Sequence, residues 1–167
     1  MEAARKFISD YDAAAVEEFV LQHEALPYKD IKRVYCSSLT RSQLTAKAIF
    51  GEDTEYVVDT TFREFERKIF SLPLVRLPIK AWLVTARVLW FLGFNSREIE
   101  TFKQARERVK QCAAILEQEA SKEGVAVLVA HGMLNNFIIR ELRKGGWKQK
   151  IKGGSGFVSV NTFEKSY

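Results

Sequence analysis

The chain has 167 residues, of which 47% are hydrophobic and 28% charged, with a formal net charge of +5, nine glycines, three prolines, two cysteines and two histidines. At roughly 100–200 residues per domain this is one globular domain, and the composition excludes disordered, collagen-like and disulfide-scaffold chains. Two cysteines favour a reduced, cytoplasmic setting, and the basic balance admits anionic partners without choosing among them.

Met1 to Asp10 lacks the apolar run of a secretory leader. Asp10 to about Gln22 is predicted to be helical, with Asp10 as cap and Ala13, Val16, Phe19 and Val20 at helical spacing. Arg33–Ser37 is a short β-rich run, predicted as a strand. Ser38–Ser42 then turns into a helix capped by Thr40 or Ser42, with Leu44, Ala48 and Ile49 facing inward and Gly51 ending it. Glu55–Asp59 is a second strand. Pro73 and Pro78 break up Phe62–Pro78, and Pro78 opens an apolar helix reaching Gly93. Ala81–Phe94 is the longest apolar stretch, but Thr85, Arg87 and Gly93 interrupt it, and it falls short of the ~20 apolar residues that span a bilayer. Its Trp82 and Trp90 read as core or as an oligomer contact.

Ser96 or Thr101 starts a long helix that ends near Gly124, with one buried stripe of Phe102, Ala105, Val109, Cys112 and Leu116. Val125–Ala130 is apolar on both faces, as a central parallel strand is. Helix Met133–Lys144 follows, with Leu134, Phe137, Ile138 and Leu142 inward and Gly145-Gly146 as its stop. Phe157–Phe163 is a last strand. The alternation predicts an α/β fold, a mostly parallel sheet flanked by helices on both faces, in which ligands sit beyond the carboxyl ends of the strands. No linker or repeat divides it, so residues 1–167 read as a single domain.

Two strand ends carry the chemistry. His131-Gly132 stands where the apolar strand meets a helix N-terminus, whose free amides and dipole favour an anion; the imidazole can donate to a phosphoryl oxygen and Gly132 lets a ligand near the backbone. Arg41, just past the first strand, suits a pair of phosphate oxygens. Cys36-Ser-Ser-Leu-Thr-Arg41 is one residue short of the loop that a cysteine phosphatase wraps around phosphate and has no glycine, so Cys36 reads as a small buried hydrophobe. In Arg63-Glu64-Phe65-Glu66-Arg67, Glu64 or Glu66 can act as a general acid if it reaches the crevice; otherwise the cluster is a solvated loop. Arg140–Lys152 is basic but lacks clustered aromatics, and reads as a solvated helix end, with neither nucleic acid nor membrane as partner.

Together these segments resemble the histidine phosphatase superfamily, the phosphoglycerate mutase-like fold. Val34-Tyr-Cys-Ser-Ser-Leu-Thr-Arg41-Ser-Gln-Leu-Thr45-Ala46, Phe62-Arg63-Glu64 and Val127-Leu-Val-Ala-His131-Gly132-Met-Leu-Asn135 are similar, in order and rough spacing, to that family's Ser-rich turn with its arginine, its acid-bearing loop and its second-histidine strand. The resemblance spans about Ile31 to Trp147. It implies that Arg41 and His131 bind the phosphoryl group, that Glu64 protonates the leaving oxygen with Glu66 as fallback, and that Gly132 and Asn135 shape the pocket. It implies a phosphorylated small molecule, or a phosphate or sulfate anion, as ligand, and no metal or organic cofactor. The family's first strand ends in Arg-His-Gly, whose histidine is the nucleophile; no such motif precedes residue 31, and His23 follows a predicted helix between Gln22 and Glu24. The expectation is therefore an N-terminally incomplete domain with impaired hydrolysis of phosphomonoesters, the first strand missing, or a non-catalytic relative that binds a phosphorylated ligand or a protein. The neighbours of the missing strand would close up, recruit another segment, or pair with another chain, as in a homodimer.

Overall fold

The computed structural model describes residues 31–67, 78–94, 98–154 and 158–165. The helix expected before residue 23, His23 itself, the segment holding Pro73 and the expected start at Ser96 lie outside them.

The first elements are β1 (Arg33–Ser37), α1 (Thr40–Phe50) and β2 (Glu55–Asp59), followed by a single 3-10 turn at Thr60–Phe62. Next come α2 (Ile79–Phe91), α3 (Phe102–Glu123), β3 (Leu128–Val129) and α4 (Gly132–Lys144), and last β4 (Lys148–Ile151) and β5 (Thr162–Glu164). The sheet order is β2-β1-β3, parallel throughout, with Tyr35 opposite Val57 on one side and Leu128 on the other. Right-handed crossovers through helices are the ordinary way to join parallel neighbours.

Strand alternation decides which helix covers which face. Val34 and Cys36 are fully buried with Ala46 of α1, and Val127 and Val129 join them. Tyr35, Leu128 and Ala130 point the other way, into the larger core of Phe62, Phe65, Trp90, Ala105, Val109, Cys112, Leu134 and Ile138. The sheet thus has helices on both faces, and each of the large buried side chains adds roughly 1.5–3 kcal/mol of transfer free energy. Glu119 of α3, itself buried, accepts from Tyr35 Oη (3.0 Å) and Arg33 Nη1 (3.0 Å), which ties α3 to β1.

Several expectations need correction. β3 is parallel and packs on both faces; among the described residues β1 is the middle strand of the three, with β2 and β3 on either side. The expected strand over 125–130 is shorter, its ladder with β1 covering Leu128 and Val129, and Val125 is exposed. In α1 the buried residues are Ser42 and Ala46, while Leu44 is exposed: the face turned to the sheet is one of small residues that let the helix sit close. Neither Thr40 nor Ser42 caps α1; Leu39 stands at the cap with no side-chain bond. The last strand is shorter than expected and antiparallel to β4, in a separate two-stranded sheet. That pairing follows the Gly145-Gly146 stop, where Gly146 takes the left-handed φ of 89° that reverses the chain. The long helix begins at Thr101, whose hydroxyl accepts from Gln104 N while Gln104 Oε1 accepts from Thr101 N, a capping box.

Candidate functional site

The site grows from two serines. Ser42, in the first turn of α1, donates its hydroxyl to the carbonyl of Val129 (2.5 Å) and accepts from the amide of Ser37 (3.2 Å). One side chain therefore fastens the start of α1 to the carboxyl ends of both β1 and β3. Ser37, fully buried, accepts from Leu39 N (3.2 Å) and lies with Oγ 2.7 Å from Nε2 of His131. With Oγ already accepting from Leu39, its hydroxyl proton is available to Nε2. His131 is buried and extended (φ −121°, ψ 151°), and its carbonyl accepts from Asn135 N (2.8 Å), so it is the residue at which β3 becomes α4.

Glu64 reaches the same place from the loop after β2. Its Oε1 accepts from Phe65 N (3.0 Å) and Leu134 N (3.1 Å), and its Oε2 from Met133 N (3.2 Å). Met133 and Leu134 are the second and third residues of α4, whose open amides a capping side chain would ordinarily take. The expectation of free amides awaiting a ligand is corrected here for those two positions: the anion on the α4 N-terminus is the carboxylate of Glu64. The remaining open space is at Gly132, where an added Cβ would meet no atom within 4 Å. Next to it, Asn135 has a buried Oδ1 with no hydrogen-bond partner.

Arg41 is half-buried in the first turn of α1, one residue before Ser42, so its backbone stands at the same end of the sheet as His131. The structure thus gathers His131, Glu64, Gly132 and Asn135 at one helix start and places Arg41 on the helix fastened beside it. Glu66 is left out: it is exposed, with Arg63 Nη1 at 3.9 Å. Cys36 is wholly buried, its Sγ turned to Val34 O, and burial pushes its thiol up to about 11, which removes it from nucleophilic chemistry. Among the described residues no three His, Cys, Asp or Glu side chains cluster as a metal ion requires, and no helix is long and apolar enough to cross a membrane.

Sequence reasoning missed the fastening role of Ser42 and Ser37, and two arginines that grip the Glu64 loop, Arg87 and Arg108. The available signal for Arg87 was an arginine set in an otherwise apolar helix.

The fold is thus a parallel sheet with helices on both faces, and a histidine and a carboxylate meet at the start of the helix that follows β3. The family model of the histidine phosphatase superfamily (branch 1) matches residues 16–164, and the chain belongs to that superfamily. The search of curated proteins returned no match.

Proposed function

We propose that this domain binds the phosphoryl group of a phosphomonoester at the carboxyl end of β1 and β3, in the chemistry of phosphomonoester hydrolysis. Arg41 and His131 take the phosphoryl oxygens, the amide and open space of Gly132 admit the group, and Asn135 borders the pocket. The observation that carries the reading is the joining of His131 and Glu64 at one point: Nε2 is held by Ser37 while the carboxylate sits on the next two amides but one.

Glu64 is the proton donor to the leaving oxygen. A carboxyl group has about four lone-pair positions. Three are taken by amides, two of them on Oε1, which favour the anion; the position left on Oε2 is where the carboxylate takes up a proton before passing it to the leaving oxygen. In hydrolysis an attacking group forms a bond to phosphorus as the P–O ester bond breaks, and the departing alkoxide oxygen receives that proton.

The attacking group is not among the residues gathered here. The sequence has two histidines, His23 and His131, and His131 is assigned to binding. Hydrolysis then requires a nucleophile from outside the described residues. That count also favours a second reading, a non-catalytic binder of a phosphorylated ligand. Titration calorimetry with inorganic phosphate tests the shared claim: Arg41→Ala weakens binding by about 10- to 100-fold, the loss of a charge-assisted contact. Absent or unchanged binding overturns it. Turnover of p-nitrophenyl phosphate by the wild-type chain decides between catalyst and binder.

A further inference from the structure

Glu64 lies in a stretch, 63–67, that is neither helix nor strand. Its carbonyls have no ladder partners, and buried carbonyls demand some partner. Two guanidinium groups from different helices supply them. Arg108 of α3 donates through Nη1 to Thr61 O (2.8 Å) and Arg63 O (2.8 Å), while Nε and Nη2 bind the Glu100 carboxylate (2.7 and 2.6 Å). Arg87 of α2 donates through Nη2 to Phe65 O (2.9 Å) and through Nη1 to Glu66 O (3.1 Å). The chain is therefore gripped just before and just after Glu64.

Arg87 is the unusual member. It is 7% exposed, lies over the Trp90 ring at 4.8 Å, and its Nε is buried without a partner. Among the described residues no carboxylate pairs with it. Burial, with the nearby Arg67 adding to it and the Glu64 carboxylate opposing it, pulls its pKa down to about 10. A buried cation held in no ion pair, with only the longer-range attraction of the Glu64 carboxylate to offset its burial, is costly, and an apolar residue of similar length would serve the packing around Trp90 better. What the guanidinium adds is the fixed pair of donors on the carbonyls of Phe65 and Glu66.

We propose that Arg87 is a positioning residue for Glu64, acting from α2 through the backbone of Phe65 and Glu66 to hold the carboxylate on the α4 N-terminus. This rests on the reading of Glu64 as the proton donor, but its test does not require phosphate to bind.

The amides of Met133 and Leu134 report on the Glu64 carboxylate directly, by proton NMR shift and by hydrogen exchange. Glu64→Gln moves both resonances upfield and accelerates exchange at both amides. In Arg87→Met both resonances move at least half as far in the same direction and exchange at both amides accelerates about tenfold. The amide of Asn135, bonded to His131 O, keeps its protection. Arg87→Lys, which retains the charge but not the paired donors, falls between them; it serves as the test variant should Arg87→Met not fold. Unchanged shifts and exchange at Met133 and Leu134 in a folded Arg87 variant overturn the proposal, as does an equal acceleration at Asn135, which marks a general loosening. Lost phosphate binding with these amides behaving as described would sink the functional reading and leave this one standing.

Discussion

Oε1 of Glu64 lies 3.1 Å from the amide nitrogen of Leu134, 70 positions away in the chain. A loop carboxylate does for α4 what a local Ser, Thr or Asp does for most helices, and the residue that occupies the cap position, His131, is left free of capping duty. Glu64→Ala should therefore destabilise the fold by about 1 kcal/mol, the ordinary value of a lost cap. Glu64→Gln, which keeps one carbonyl acceptor, should lose less. Urea unfolding of the two variants measures both; an alanine variant as stable as wild type would mean that the carboxylate does not cap α4.

Ser37 and His131 form the second coupled pair. Both are buried, and Nε2 and Oγ are 2.7 Å apart. Ser37→Ala removes the hydroxyl and leaves a buried ring nitrogen short of a partner, at a cost of about 1–3 kcal/mol. The same substitution removes the bond that orients Nε2, so phosphate affinity should fall along with stability. Calorimetry and urea unfolding on one protein preparation check the two together. A loss of stability with full phosphate affinity would separate the serine from ligand binding.

Ser42 links three elements through one hydroxyl. Ser42→Ala removes the side-chain bonds to Ser37 N and Val129 O at the junction of β1, β3 and α1, and about 0.5–1.5 kcal/mol should be lost. Ser42→Thr retains the hydroxyl but adds a methyl at a site only 2% exposed. It should fail to restore full stability, since extra volume in a packed site costs about 1–3 kcal/mol. Thermal unfolding of the pair distinguishes the bond from the space.

What the sequence revealed, it revealed through period and punctuation. The stripe of Ala105, Val109 and Cys112 placed α3, and Gly51 and Gly145-Gly146 placed two helix ends, because these signals are local. His131 was singled out by its residue type at a strand end in an α/β alternation, whereas the residues alone left Glu64 and Glu66 both open and the resemblance chose between them. Contacts across long separations were not readable. Nothing near Ser42 in the chain announces that its hydroxyl will seek Val129, and the expectation of a cap came from the usual local role of serine. The amides of Met133 and Leu134 were expected to be free because their acceptor lies about 70 positions upstream. β3 was legible as a strand buried on both faces because Val127 and Val129 turn to one core and Leu128 and Ala130 to the other.

The two thiols make stability depend on alkaline pH. Burial pushes Cys36 up to about 11 and Cys112 up to about 12, against an ordinary 9.0. Cys112 sits in the core with its Sγ toward Thr61 O (3.2 Å), below the Glu64 loop. Above pH 9 the unfolded chain gives up these protons while the folded chain keeps them, so the folded state binds more protons and its stability falls as pH rises. The contribution is complete below pH 9 and is lost progressively between about 9 and 12, at up to about 1.4 kcal/mol per pH unit for each thiol. Urea midpoints taken from pH 7 to 10.5 should therefore decline. Cys36→Ala and Cys112→Ala should each flatten that decline, even though each cavity lowers the midpoint at pH 7. A disulfide-exchange reagent at pH 8 should label neither thiol in the folded protein and both in urea. Rapid labelling of the folded chain, or a decline that survives removal of both thiols, would place the alkaline loss in other groups.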